Sequence, residues 1–153
     1  LDLVIRKMPM HTGRLLKSFF HLVKEFIDKN SFNYNLNDFM PSLIKSFGRL
    51  QKVTLFIASK GLKDPDEAAG PATDYLKMFA LVAIGYVWTR YAEISFNKLN
   101  HDPTNFYKSK IESGKYYMNK LLPETGSLIS NIMTGAELYN KYDDSYFDLS
   151  FKL

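Results

Sequence analysis

Tyr75-Leu76-Lys77-Met78-Phe79-Ala80-Leu81-Val82-Ala83-Ile84-Gly85-Tyr86-Val87-Trp88-Thr89-Arg90-Tyr91-Ala92 is the stretch that decides the fold. Its only charges are Lys77 and Arg90, and none occurs from Met78 to Thr89. A helix that is apolar nearly all round belongs at the buried centre of a helical domain. Ala80, Ala83 and Gly85 let a neighbouring helix come close. A membrane span needs about 20 apolar residues, and this run is too short and too rich in Tyr and flanking charge to be one.

The punctuation on either side of this centre sets the other elements. Upstream, Leu15, Phe19, Leu22 and Phe26, with Leu16, Phe20, Val23 and Ile27 beside them, step at helical period and end in a polar loop from Asn30 to Asn35. The next helix is expected to start at a side-chain cap near Asn35 or Asn37. Its apolar face is Phe39, Leu43, Phe47, Leu50, Thr54 and Ile57, and Gly61 stops it. Asp64-Pro65-Asp66-Glu67 then combines a capping residue, a proline at the first helical position and a capping-box glutamate. Gly70-Pro71 kinks that helix or delays its regular part.

Downstream, Asp102-Pro103-Thr104 repeats the cap-then-proline start. Tyr107, Ile111, Gly114, Met118, Leu121, Leu128 and Ile132 keep a three-and-four spacing through a last long helix, bent at Leu122-Pro123-Glu124 and closed by Gly135. No strand-like alternation and no internal repeat stands out. The expected fold is all-α: an up-and-down four-helix bundle over residues 11–135, preceded by a short helix within 1–10 and followed by an aromatic tail at 136–153. In the tail, Tyr139, Tyr142 and Tyr146 share one helical face.

A chain of 153 residues is one domain, able to bury roughly 70% of its unfolded surface. It has no cysteine and no Asn-x-Ser/Thr acceptor, and its N-terminal residues lack the basic, apolar and small-residue pattern of a secretory signal, which makes the cytoplasm the expected compartment. The net charge of +4 comes from 20 basic and 16 acidic residues interspersed along the chain. That pattern describes a solvated surface rather than a nucleic-acid stripe. Aromatic residues make up 15% of the chain, more than a lone bundle needs, which points to surface covered by another domain.

Residues that could carry chemistry are few. His11, His21 and His101 lie far apart and form no zinc spacing, so His21 and Glu25 read as an exposed pair one turn apart. Asp64, Asp66 and Glu67 begin like a calcium loop, but Ala68 stands at a ligand position and Ala69 where glycine is required, so helix capping explains the acids. Asp143 and Asp144 have no partner to split them into an acid and a base. Nothing supports a nucleophile or a glycine-rich phosphate cradle. Trp88 is placed like a ligand-stacking group, yet in an apolar helix its expected role is core packing. No catalytic, cofactor-binding or metal-binding residue is assigned.

Leu1-Asp2-Leu3-Val4-Ile5-Arg6-Lys7, the stretch Ala72 to Trp88, and Tyr116-Tyr117-Met118-Asn119-Lys120-Leu121-Leu122-Pro123-Glu124 together resemble the C-terminal region of the larger acyl-CoA dehydrogenases. The nearest subgroup carries an extra C-terminal helical domain, like 3-methylmercaptopropionyl-CoA dehydrogenase. The resemblance implies a parent enzyme in which FAD takes hydride from the β-carbon of an acyl-CoA while a glutamate removes the α-proton. That glutamate's Tyr-Glu-Gly-Thr motif is not in this chain. Leu1 begins in mid-pattern without a Met, so the expectation is that the base lies upstream, with the domains that enclose the flavin. Arg6 is then the one residue that could stand behind the active-site loop. The implied partners are the catalytic domains of the same polypeptide and further copies in a dimer or tetramer, with no cofactor held by this segment. The other class of function compatible with the residues is a free-standing helical interaction module.

Overall fold

The computed structural model describes residues 13–101 and 104–136. Six α-helices fill them: α1 (Arg14–Lys29), α2 (Met40–Gly61), α3 (Pro65–Ala69), α4 (Ala72–Lys98), α5 (Phe106–Tyr116) and α6 (Thr125–Thr134). No strand occurs among the described residues. Between α5 and α6 the chain stays helical, passing through a π turn at Tyr117–Leu121 and a 3₁₀ turn at Leu122–Glu124. The expected short N-terminal helix and the aromatic tail, with Tyr139, Tyr142, Tyr146, Phe147 and Phe151, lie outside the described residues.

Four rods result: α1, α2, α4 and the composite α5 to α6. They run up, down, up and down. Phe19 meets Phe79 with ring centroids 4.9 Å apart and Phe26 meets Tyr86 at 5.4 Å, so α1 and α4 run the same way. Thr54 touches Tyr75 near opposite ends of α2 and α4, which makes those two antiparallel. Gly85 faces Leu122 and Tyr117, while Lys77 pairs with Glu124, so the composite runs against α4. The whole expected face of α2, Phe39, Leu43, Phe47, Leu50, Thr54 and Ile57, is buried. Each fully buried Leu or Phe in such a face contributes roughly 1.5–3 kcal/mol of transfer free energy.

Four expectations need correction. In α1 the buried side is Val23 and Phe26, with Phe19, Phe20 and Ile27 packed beside them; Leu15 and Leu22 face outward. Asn35 and Asn37 do not cap α2. Asn33 accepts from the Asn35 N–H to cap a separate 3₁₀ turn, and α2 begins at Met40 with a proline in its first turn. The helix expected from Asp102 starts at Phe106, after Asn105 takes left-handed backbone (φ 58°), a conformation asparagine tolerates. The delay expected at Gly70-Pro71 is present, since α3 ends at Ala69 and α4 begins at Ala72.

The fourth correction carries the most physics. Leu121 was expected inside, and the structure exposes it and buries Leu122 instead. A proline ring clashes with the carbonyl four residues before it, so the helix cannot pass Pro123 as a regular α-helix. The widened turn at Tyr117–Leu121 accommodates one extra residue, and the inward apolar position expected at Leu121 moves to Leu122. Leu128 and Ile132 fall back on the core face, and Gly135 (φ 70°) ends α6 as expected.

Candidate docking surface

The central helix α4 is not buried all round. Its inner stripe of Tyr75, Met78, Val82, Tyr86, Thr89 and Ala92 lies in the core. A second stripe, Leu76, Ile84, Val87, Tyr91 and Ile94, is 42–54% exposed. Ile84, Val87, Tyr91 and Ile94 recur at three-and-four spacing, and exposed Ala80 bridges the two turns back to Leu76, so they form one continuous apolar ridge along the outer side of a helix. An 18-residue span of helix is about 27 Å long, so the ridge runs across the width of the domain.

Beside this ridge, where α4 meets α5 and the π turn, lies a pocket of about 460 Å³ walled by Trp88, Tyr116, Tyr117 and Leu121, with Glu112 at its polar edge. Trp88 is half-buried: one side packs on the core and the other faces the pocket. The core reading of this residue therefore covers only half of it. The rim is apolar too. Tyr91 stands edge-on to the indole with centroids 5.8 Å apart, and Tyr116 and Leu121 are exposed.

Three contacts keep the pocket in shape. The Tyr117 hydroxyl donates to the Leu81 carbonyl at 2.9 Å, stitching the π turn to α4, and burial pushes this phenol up to about 12. Gly114 lets the helices close, since a Cβ there would lie 2.8 Å from Phe39 and 3.5 Å from Trp88. Next along α5 the Lys115 ammonium donates to Asp38 at 2.9 Å, and that hydrogen bond raises its pKa, with Glu112, which lines the pocket, adding attraction from 3.9 Å. Apolar walls, one peripheral carboxylate and fixed aromatic rings suit the recognition of another apolar surface. Ser113 also lines the pocket, and among the described residues no base is hydrogen-bonded to its hydroxyl.

The remaining residues singled out from the sequence are scattered. His21 and Glu25 form an exposed pair at 3.2 Å on α1, and His101 sits in an exposed 3₁₀ turn after α4. Glu67 pairs with Lys60 at 3.7 Å. Among the described residues no three His, Cys, Asp or Glu side chains gather as a metal site would require. Arg6, His11, Asp143 and Asp144 lie outside the described residues. No helix of the described residues is long and apolar enough to cross a membrane. The outer ridge of α4 was missed because apolar residues surround it in sequence. The signal that could have found it is that two helical stripes overlap in one segment, one more than a core needs.

Comparison with known protein families matches residues 19–143 to the family described as acetyl-CoA dehydrogenase C-terminal like. The chain belongs to that family. The match takes in α4, the ridge, the pocket and the π turn, so the surface described above lies within the matched residues. A search of curated proteins returned no match.

Proposed function

We propose that this chain is the C-terminal helical domain of an FAD-dependent acyl-CoA dehydrogenase. It belongs with the larger subgroup resembling 3-methylmercaptopropionyl-CoA dehydrogenase, is non-catalytic by itself, and supports contacts between subunits. The family match over residues 19–143 carries the reading. The outer ridge of α4 supports the docking role, because a monomer leaves so long an apolar ridge in water only at a cost. In this reading the ridge and the Trp88 pocket pack on the catalytic domains of the same polypeptide.

The parent reaction is α,β-dehydrogenation of an acyl-CoA, in which the flavin accepts the hydride. The residues here do not fit that cofactor. The Trp88 pocket offers aromatic walls and a carboxylate where a dinucleotide's pyrophosphate needs cationic or backbone donors. A second pocket, of about 160 Å³, is too small to enclose a flavin dinucleotide. No step of the chemistry is assigned to this chain.

The test is acyl-CoA-dependent reduction of an artificial electron acceptor, measured for the chain, for the full-length parent and for a parent lacking this domain. Turnover is expected from the parent and none from the chain alone. Turnover by the chain would overturn the reading. The alternative, a free-standing interaction module, predicts that the gene carries no Tyr-Glu-Gly-Thr motif ahead of Leu1.

A further inference from the structure

On the opposite flank from the Trp88 pocket, Ser42, Lys45, Ser46 and Arg49 share one face of α2 and look across a pocket of about 160 Å³ at Pro123 and Thr125. Its floor is Met118 and Leu122, both buried. Two inner hydroxyls are spent: Ser46 donates to the Leu43 carbonyl at 3.0 Å and Thr125 donates to the Leu122 carbonyl at 2.8 Å. Thr125 in turn accepts from Arg49 at 2.9 Å. This chain of bonds holds the guanidinium at the pocket's edge before anything binds, which lowers the entropic cost of binding.

The outer groups have no such partners. Neither Lys45 nor Arg49 pairs with a carboxylate among the described residues, and the acid at the adjoining turn, Glu124, is taken by Lys77. Ser42 makes no hydrogen bond there. Arg49 uses one of its five N–H donors on Thr125, and no fully buried side-chain nitrogen is left unpaired, so the remaining donors reach solvent. Two like charges one helical turn apart are unfavourable until an anion sits between them.

We propose that this pocket binds a phosphate-type oxyanion, held by the Lys45 ammonium, the Arg49 guanidinium and the Ser42 hydroxyl. A tetrahedral phosphate has enough oxygens to accept from all three donors at once and enough charge to satisfy both cations, whereas a carboxylate has two oxygens and one charge. The apolar floor and the volume of about 160 Å³ suit a small group or the end of a larger one. The site stands independently of the enzyme reading.

The experiment is an amide-resolved NMR titration of the whole 153-residue chain. The probes are inorganic phosphate and glycerol 3-phosphate, each against chloride at matched ionic strength. Saturable shifts are expected at Ser42, Lys45, Arg49 and Gly126. Lys45→Gln, at an exposed position, should weaken binding about tenfold, the loss typical of one charged hydrogen bond. Arg49→Gln should do the same, and Lys17→Gln on α1 should change nothing. Tighter binding of the ester marks an organic phosphate as the ligand, and tighter binding of inorganic phosphate marks the free ion. Shifts that do not saturate, that spread over the surface, or that persist unchanged in K45Q overturn the proposal.

Discussion

Tyr75 donates a hydrogen bond to Thr54 at 2.9 Å in the interior where α2 passes α4. The direction follows from proton counting. Thr54 has one hydroxyl hydrogen and gives it to the Leu50 carbonyl at 2.7 Å, so the shared proton belongs to Tyr75. Burial of this phenol raises its pKa, since the charged form would lose water.

The same count orders two substitutions. Thr54→Val leaves the Tyr75 hydroxyl as a fully buried donor without a partner, which costs roughly 1–3 kcal/mol. Tyr75→Phe leaves only an acceptor unmet and costs about 1 kcal/mol. Denaturant titration of both, and of the double variant, checks the order. If Tyr75→Phe proves the more damaging, the assigned direction of the bond is wrong.

Two glycines in helices respond oppositely to alanine. Gly48 on α2 has open space around a new Cβ, so Gly48→Ala should stabilise by about 0.4–1 kcal/mol through the unfolded chain and helix propensity. At Gly114 the new carbon lies 2.8 Å from the ring of Phe39, which is fully buried and cannot retreat. Gly114→Ala should cost roughly 1–3 kcal/mol as overpacking and disturb the fluorescence of Trp88, the chain's single tryptophan. Thermal melts read by circular dichroism and by fluorescence separate the two cases.

How far the residues announced this structure depends on what each pattern encodes. The α2 face and the stop at Gly135 were plain because apolar spacing and a left-handed glycine report local backbone directly. The exchange of Leu121 for Leu122 was hidden. Pro123 signals that the helix must adjust, and nothing local says whether it bends or widens. The outer ridge of α4 was hidden for another reason. Periodicity distinguishes apolar from polar faces, and in Tyr75 to Ala92 both faces are apolar, so a side covered by the domain's own helices looks like a side left for something else. The Lys45 and Arg49 pocket needed tertiary structure to appear, because Pro123 and Thr125 come from a distant part of the chain.

Alkaline pH should weaken the fold through its buried phenols. The folded-state pKa of Tyr117 is about 12 against an ordinary 10.0, and Tyr75 is shifted in the same direction. The unfolded chain therefore releases these protons first. Their contribution is complete below about pH 10 and is lost as pH rises toward about 12. Urea midpoints should fall across that window, and Tyr117→Phe should flatten the fall. An unchanged slope in Y117F would show that the Tyr117 phenol titrates alike in both states.

The outer ridge of α4 should carry association without carrying stability. Val87 and Ile94 are about half exposed in the isolated domain, and polar replacements at such positions usually change stability by no more than about 0.5 kcal/mol. Val87→Ser with Ile94→Ser should therefore leave the melting temperature nearly unchanged. The pair removes apolar area from the middle and the far end of one continuous strip, so binding of an apolar dye and concentration-dependent self-association, read by sedimentation, should both drop. In the parent enzyme of the proposed reading the same pair should speed amide exchange along α4, because the catalytic domains proposed to cover that face would hold it less firmly. A large loss of melting temperature in the isolated chain would show that the ridge is part of the domain's own core and is not available to a partner.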